Sequence, residues 1–468
     1  MAQDLVVIVA DALRCPEGIP GFTWGEHAPF LSRLVPHLST FRQLHATAPW
    51  TVPSHLSLMA GIDPWRVNLT LPRLWHRIPS QNTLSMKWRE LGGFSAAFSA
   101  NPVASERGGI VVGFDQFNPG RNQGIANTTT LTGSLLDYWL LCPSLKHRIE
   151  RVGQTKSRRT LGEVAAYTYS RILNNYWRYP QIEREVRKVL QSKDPRLPTY
   201  LFFNLMEAHE PYFERGSQKD LWEEGDSPTF SLSTVYRGTG RTPRTWESFA
   251  SQYLAAVRRL DRRVEGIFDA LFRGGMLEST TFLLVSDHGQ ALGESGFVGH
   301  GHHLFDSLTN IPGYIGTFSQ GTPKPMPIPT HRSLDLRHLH DLLDAVMQNG
   351  EPGLLSEELE ASLSKRGHPA AYWEDVPHTG VVLKAPNGPI SRALRLFSDS
   401  GSICFRQSGI DSPMLERVDG QLQPSEEDEL LAEGSAIIGG QAGELDQASG
   451  WIRTPDEVTA QLQTWGYL

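Results

Sequence analysis

Four short stretches of this chain carry side chains able to do chemistry together. Ser286-Asp287-His288-Gly289 follows an apolar run at residues 281–285 and precedes a loop holding His300, His302 and His303. An Asp-His pair where an apolar strand stops offers one oxygen and one nitrogen donor side by side. That is the donor mix of Zn²⁺, Mn²⁺ or a similar divalent ion. Strand ends are also where open α/β sheets bind ligands. Asp11 closes a second apolar run, residues 5–10, and His209 stands just past a third, residues 200–205. Between them lies Pro49-Trp50-Thr51-Val52-Pro53-Ser54-His55, where two prolines restrict the backbone around Thr51. Ser54 reads as the N-cap or a first-turn residue of a helix running to Gly61. A hydroxyl held at a helix N-terminus sits in a partial positive field that favours an anion.

Each stretch by itself has an ordinary reading. Asp11 alone would be a turn cap, and Thr51 a turn hydroxyl satisfying backbone amides. His209, His300, His302 and His303 alone would be packed or solvated histidines. The aromatic residues Tyr176, Trp177 and Tyr179 read as packing rather than as a sugar platform. The metal and nucleophile readings gain weight because the donors all follow apolar strands or their exits.

Those strands alternate with helices. Residues 5–10, 94–99, 200–205 and 281–285 read as strands buried on both faces. Residues 29–38, 83–91, 182–190, 246–273 and 333–347 carry helical spacing, two of them ending at Gly-Gly pairs. The pattern predicts an α/β fold with a large, mostly parallel sheet sandwiched by helices. Residues 1–365 are expected to form this domain, with residues 118–198 as a variable helical insertion. Residues 319–329, crowded with proline, read as a loop. Short runs at 392–397, 402–406 and 414–418 predict a small antiparallel sheet. They place a small C-terminal α+β subdomain at residues 366–468, with little order expected from Pro424 to Trp451.

Composition narrows the function classes. The 468 residues are 39% apolar, enough for a large core, and the net charge of −7 comes from interspersed acids and bases. No clustered basic face points to nucleic acid; the locally basic stretch at 147–159 reads as a solvated helix face. Three scattered cysteines, Cys15, Cys142 and Cys404, fit neither a disulfide framework nor a metal spacing. They favour a reducing compartment. The apolar start lacks the features of a signal peptide, and no run is long enough for a transmembrane segment. A cytoplasmic protein acting on a small anionic ester is the expectation.

The segments, in this order, resemble the alkaline phosphatase superfamily, and within it the sulfatase-like branch. The resemblance is carried by Val7-Ile8-Val9-Ala10-Asp11-Ala12-Leu13-Arg14, by residues 51–61, and by residues 101–117 with Gly113-Phe114-Asp115. Glu207-Ala208-His209-Glu210-Pro211-Tyr212, residues 253–261 and residues 286–312 complete it. It implies that Asp11, Asp287, His288 and the Thr51 hydroxyl bind a divalent metal, Mn, Zn, Mg or Ca. One such site is implied, and a second is open if Asp306 or Glu294 joins the histidines. It further implies that Thr51 attacks phosphorus or sulfur in line and forms a covalent ester. His209 and His300 fall at positions that touch the transferred group or protonate the leaving oxygen.

Three departures from the family pattern matter. Sulfatases carry a cysteine, oxidised to formylglycine, in Cys-x-Pro-Ser-Arg; here the stretch is Thr51-Val52-Pro53-Ser54-His55. A threonine ester cannot break down by the elimination open to formylglycine, so phosphate or phosphonate esters are favoured over sulfate. Ala12 stands where many sulfatases have a second aspartate, which thins the donor shell. His55 replaces the motif arginine, which weakens anion stabilisation. Three readings follow: a hydrolase or transferase of phosphate or phosphonate diesters or monoesters, a sulfatase working without formylglycine, or a non-catalytic anion-binding relative.

Overall fold

The computed structural model describes residues 3–66, 78–79, 83–101, 104, 110–119, 181–209, 243–293, 298–301, 303–328, 331–349, 361–362, 365–374, 392–407, 414–439 and 451–452. Its centre is an eight-stranded sheet. The strands are β1 (Asp4–Ala10), β2 (Phe94–Ser99), β3 (Gln116–Pro119), β4 (Thr199–Leu205), β5 (Ser279–Val285), β6 (Gly313–Ser319) and β7 (Thr322–Pro325). Their order is β7-β6-β5-β1-β4-β2-β3, with the short strand Ser39–Thr40 also pairing with β6. From β3 to β5 every neighbouring pair is parallel, while β6 and β7 are antiparallel additions at one side.

The apolar strands are continuous runs because helices, among them α1 (Pro29–Leu34), α3 (Leu84–Glu90) and α4 (Ile182–Ser192), cover both faces of the sheet. Val6 and Ile8 of β1 face one side, where they join Phe98, Phe203, Phe282 and the long helix α5 (Pro243–Arg273) through Tyr253, Val257 and Leu260. Val7 and Val9 face the other, packing with Phe202, Leu283 and Leu339 of α6 (Leu336–Asn349). Each such side chain, fully buried, stabilises the fold by roughly 1.5–3 kcal/mol.

A separate four-stranded antiparallel sheet has β8 (Ala370–Glu374), β9 (Arg392–Phe397), β10 (Gly401–Gln407) and β11 (Met414–Gly420) in that order. Its apolar face meets one side of helix α2 (Thr51–Ala60): Val52 and Leu56 pack with Ala370, Leu394 and Phe405. The other side of α2, Leu58 and Met59, packs beneath the main sheet. A ten-residue helix is thereby buried along residues 51–59, which leaves Thr51 little freedom.

Several expectations are corrected. Helix α2 starts at Thr51, so of the two readings of Ser54 the first-turn one holds and the cap does not; the Ser54 hydroxyl donates to the Ala48 carbonyl (2.9 Å). The helix expected over 29–38 is α-helical only over Pro29–Leu34 and tightens to a 3₁₀ turn at Val35–His37, where Pro36 enters. Residues Ser333–Asp335 form a strand paired with Gln43–His45 rather than the start of α6. The proline-crowded loop contains β7, an edge strand, where proline is tolerated. The tail is not irregular throughout: Pro424–Gly439 is helix α7. Leu430 and Ile438 are buried against the small sheet, and Gly434 lets the helix approach Phe405, whose ring lies 2.1 Å from where a Cβ would sit. Most of the expected insertion (residues 120–180), the basic stretch at 147–159, Cys142, Tyr176, Trp177, Tyr179, Glu294 and His302 lie outside the described residues.

Candidate metal centre and nucleophile

The parallel strands β1, β4 and β5 end side by side, and their exits carry the donors. Asp11 follows β1, and Asp287 and His288 follow β5. All three are fully buried. One ligand atom from each lies within 4.8 Å of the others, the sole such three-residue cluster among the described residues. His288 Nε2 stands 3.7 Å from Asp11 Oδ1 and 3.5 Å from Asp287 Oδ2. Thr51 Oγ1 joins them at 3.3 Å from His288 Nε2.

Local backbone chemistry fixes each donor. Asp287 Oδ1 accepts the N–H groups of Ala12 (3.1 Å) and His288 (2.9 Å). Asp11 Oδ2 accepts from Asn101 Nδ2 (2.8 Å) and Asn204 Nδ2 (3.3 Å). His288 Nδ1–H donates to the Gly289 carbonyl (2.8 Å), so Nε2 keeps its lone pair. Burial, and then the neighbouring His300, push the His288 pKa down to about 3, so the ring is neutral at physiological pH. The Ser286 hydroxyl bridges β1 and β5, lying 2.8 Å from the Ala10 carbonyl and 2.7 Å from that of His288. Gly289 is required sterically: an added Cβ would meet the Ser307 carbonyl at 2.0 Å.

Ala12, where an acid was missed from the family pattern, has φ +60. That left-handed conformation is uncommon for alanine. It aims the Ala12 N–H at Asp287. Tyr253 pins the turn by donating to the Ala12 carbonyl (2.8 Å) and accepting from the Arg14 N–H (2.8 Å).

What remains is two buried carboxylate oxygens, Asp11 Oδ1 and Asp287 Oδ2, without a hydrogen-bond partner. Leaving charged oxygens unpaired costs more than leaving neutral ones. A divalent cation answers both at once. Donor separations of 3.3–3.7 Å suit ligands about 2.0–2.6 Å from a shared ion. The residues fit the implied metal.

His209 and His300 also reach this centre. The His300 ring stacks on His288 at 4.4 Å between centroids and meets His209 edge-on at 4.7 Å. Gln290 Oε1 holds His300 Nδ1 at 2.9 Å. His303 instead stacks on Phe305 at 4.9 Å. Asp306, a candidate for a second metal, is turned to the surface and paired with Arg395 at 2.6 Å. His55 does not face an open anion site either; it is fully buried inside the donor network.

Sequence reasoning assigned no role to Asn101, Asn204, Gln290 and Tyr253. Asn204 left a signal, being a polar residue inside an otherwise apolar strand. Asn101 and Tyr253 fell within segments that carried the resemblance. Gln290 likewise fell within such a segment, residues 286–312.

A family model described as Sulfatase matches residues 157–348. The choline-sulfatase of Rhizobium meliloti (strain 1021) is 24% identical over 330 residues, covering 63% of this chain. The match spans 58% of that relative's length. The phosphonate monoester hydrolase of Silicibacter pomeroyi aligns with TM-score 0.56 at 13% identity, covering 93% of this chain and 94% of its own. A 2-O GAG sulfatase aligns with TM-score 0.54 at 12% identity, covering 94% and 91%. The chain is similar to sulfatases over residues 157–348, and it shares the fold of these solved structures over most of its length. The Sulfatase match begins inside the stretch expected to be a variable insertion. Asp11 and Thr51 precede the match, and they join Asp287 and His288 through the sulfatase-like sheet.

Proposed function

We propose that this sulfatase-like protein is a metal-dependent hydrolase or transferase of phosphate or phosphonate esters, diesters or monoesters, with Thr51 as the attacking group. The observation that carries it is Thr51 itself. A buried hydroxyl begins helix α2, 3.3 Å from His288 Nε2, beside two unpartnered carboxylate oxygens. Asp11, Asp287, His288 and Thr51 would hold a divalent ion, Mn, Zn, Mg or Ca. When bound, the ion supplies Lewis acidity and favours the ionised hydroxyl.

The chain's own groups do the rest. Thr51 Oγ1 forms a bond to phosphorus while the ester oxygen leaves. The α2 N-terminus presents partial positive charge to the transferred oxygens. Protonated His300 or His209 delivers a proton to the leaving oxygen; a water then gives that proton back as it attacks phosphorus. The Thr51–O–P bond breaks, the Thr51 oxygen takes back from bulk water the proton it released there on ionising, and the acid is released. For a transferase, an acceptor alcohol replaces the water. A threonine ester has this exit at phosphorus without elimination, whereas a sulfate on threonine lacks the formylglycine route. The 24% identity to a protein named choline-sulfatase supports sulfate ester hydrolysis as the second reading.

A single substrate panel tests the proposal. Metal-loaded protein would be assayed on an aryl phosphate, a bis-aryl phosphodiester, an aryl phosphonate and an aryl sulfate. Turnover of a phosphorus ester, lost by at least about 10³-fold in Thr51→Ala, is the expected result. Sulfate turnover above every phosphorus ester would favour the second reading. Activity retained by Thr51→Ala would exclude the covalent route.

A further inference from the structure

His55 occupies the place of the family arginine, yet its surroundings assign it different work. The ring is fully buried, with Phe202 edge-on at 6.2 Å. Nδ1 lies 2.8 Å from the Thr51 carbonyl, one helical turn back, and 3.5 Å from Asp287 Oδ2. A carbonyl only accepts, so Nδ1 carries the hydrogen. Nε2 lies 3.2 Å from Asn204 Nδ2.

The Asn204 amide has one orientation that satisfies its neighbours. Asp11 Oδ2 is 3.3 Å from Asn204 Nδ2 and accepts its hydrogen. Rotating the amide would set its oxygen against that carboxylate oxygen. With the NH₂ fixed there, its second hydrogen points at His55 Nε2, which must accept. An imidazolium has no acceptor nitrogen, so this contact selects the neutral ring.

Asn101 supplies the other donor to Asp11 Oδ2, at 2.8 Å. Two amides therefore occupy Oδ2 and leave Oδ1 as the oxygen turned toward His288 Nε2. Through Asn204, that choice is tied to His55, and through His55 to the backbone of Thr51.

We propose that His55 and Asn204 form a positioning relay that couples the Thr51 turn of α2 to the Asp11 carboxylate, with His55 a neutral acceptor rather than a substitute anion-binding cation. The relay rests on the metal-dependent reading above. It fixes two groups that would face one ion, with His55 and Asn204 outside the Asp11, Asp287 and His288 cluster. Outer partners of this kind typically change metal affinity by about 10–100-fold.

The test uses the full chain and Mn²⁺ as probe, with binding measured by calorimetry. Asn204→Ala and His55→Ala are each expected to weaken Mn²⁺ binding by about 10–100-fold. The double variant should be no weaker than the poorer single variant by more than about threefold, because both cut one chain of contacts. Affinities of both single variants within about twofold of the parent would overturn the relay, as would fully multiplicative losses. His55→Asn keeps the volume change smaller, Asn204→Ser leaves a hydroxyl in the polar site, and these replace any alanine variant that fails to fold. Nitrogen-15 spectra of the His55 ring at neutral pH supply a readout free of metal. A protonated Nδ1 with a bare Nε2 supports the relay, and an imidazolium overturns it. If the parent protein binds no Mn²⁺, the metal-dependent reading itself fails, and the ring signals still decide the relay.

Discussion

Asp11 and Asp287 are each divided in labour between their two oxygens. One oxygen of each is saturated by amide donors, and the other is buried without a partner. That arrangement carries an electrostatic cost that a bound cation would relieve. Asp287→Asn should therefore stabilise the metal-free chain by about 1–3 kcal/mol while removing metal binding. Thermal unfolding in chelator and in excess Mn²⁺ would check both halves. The parent should gain melting temperature on adding Mn²⁺, as any ligand of the native state does. The variant should start higher and gain nothing; a lower starting point would remove the stored-cost argument.

At the level of elements, α2 matters because it is clamped on two sides. Val52 and Leu56 meet the small sheet, while Leu58 and Met59 meet the main one. Leu56→Ala would open a cavity at that seam and should cost about 2–5 kcal/mol by urea unfolding. Helix α7 packs on the same apolar face of the small sheet as α2, and one contact there is pH-dependent. His368 Nδ1 lies 2.7 Å from Glu433 of α7. That hydrogen bond is the main cause holding the His368 pKa above its ordinary 6.5. A raised folded value means the contact contributes fully below pH 6.5 and is lost as pH rises through the folded value. Stability should thus decline by under about 1 kcal/mol across that window. Glu433→Gln should flatten the dependence in denaturant titrations at several pH values; an unchanged slope would refute the assignment.

For the molecule as a whole, two arginines join the small sheet to the body. Buried Arg337 pairs with Asp335 (2.6 Å) and Asp63 (2.9 Å) and donates to the His368 carbonyl (3.1 Å) just ahead of β8. Burial would raise the Asp335 pKa, but Arg337 and His338 outweigh it and hold the carboxylate far below its usual range. Arg337→Ala strands that buried charge and should cost about 3–5 kcal/mol in urea unfolding. Arg395 of β9 reaches the Leu304 carbonyl (3.1 Å), in the segment that follows His300. Arg395→Met is expected to cost more in kcat/KM than in unfolding stability when both are expressed as free energies; equal losses would deny a link from the small sheet to the histidines.

Much of this was legible in the sequence because it is local. Continuous apolar runs specify strands buried on both faces, and the residue at each exit follows from chain order, so Asp11, Asp287, His288 and His209 could be picked out one by one. Pro49 and Pro53 announced Thr51 in the same way. Helix α7 was missed because its glycine and acid content resembles an irregular tail; only contact with Phe405 shows why Gly434 belongs in a helix. The antiparallel strand β6 was missed because its pairing partner lies on β5 and its register depends on the intervening loop. The sequence by itself determined the α/β class and the donor types. Tertiary structure alone decided that Asp11 Oδ1 and Asp287 Oδ2 are the orphaned oxygens, that Asp306 turns outward, and that His55 serves Asn204 rather than an anion. The physical reason is that a side chain's type is written in the chain, whereas its hydrogen-bond partner is whichever group the fold brings within about 3 Å.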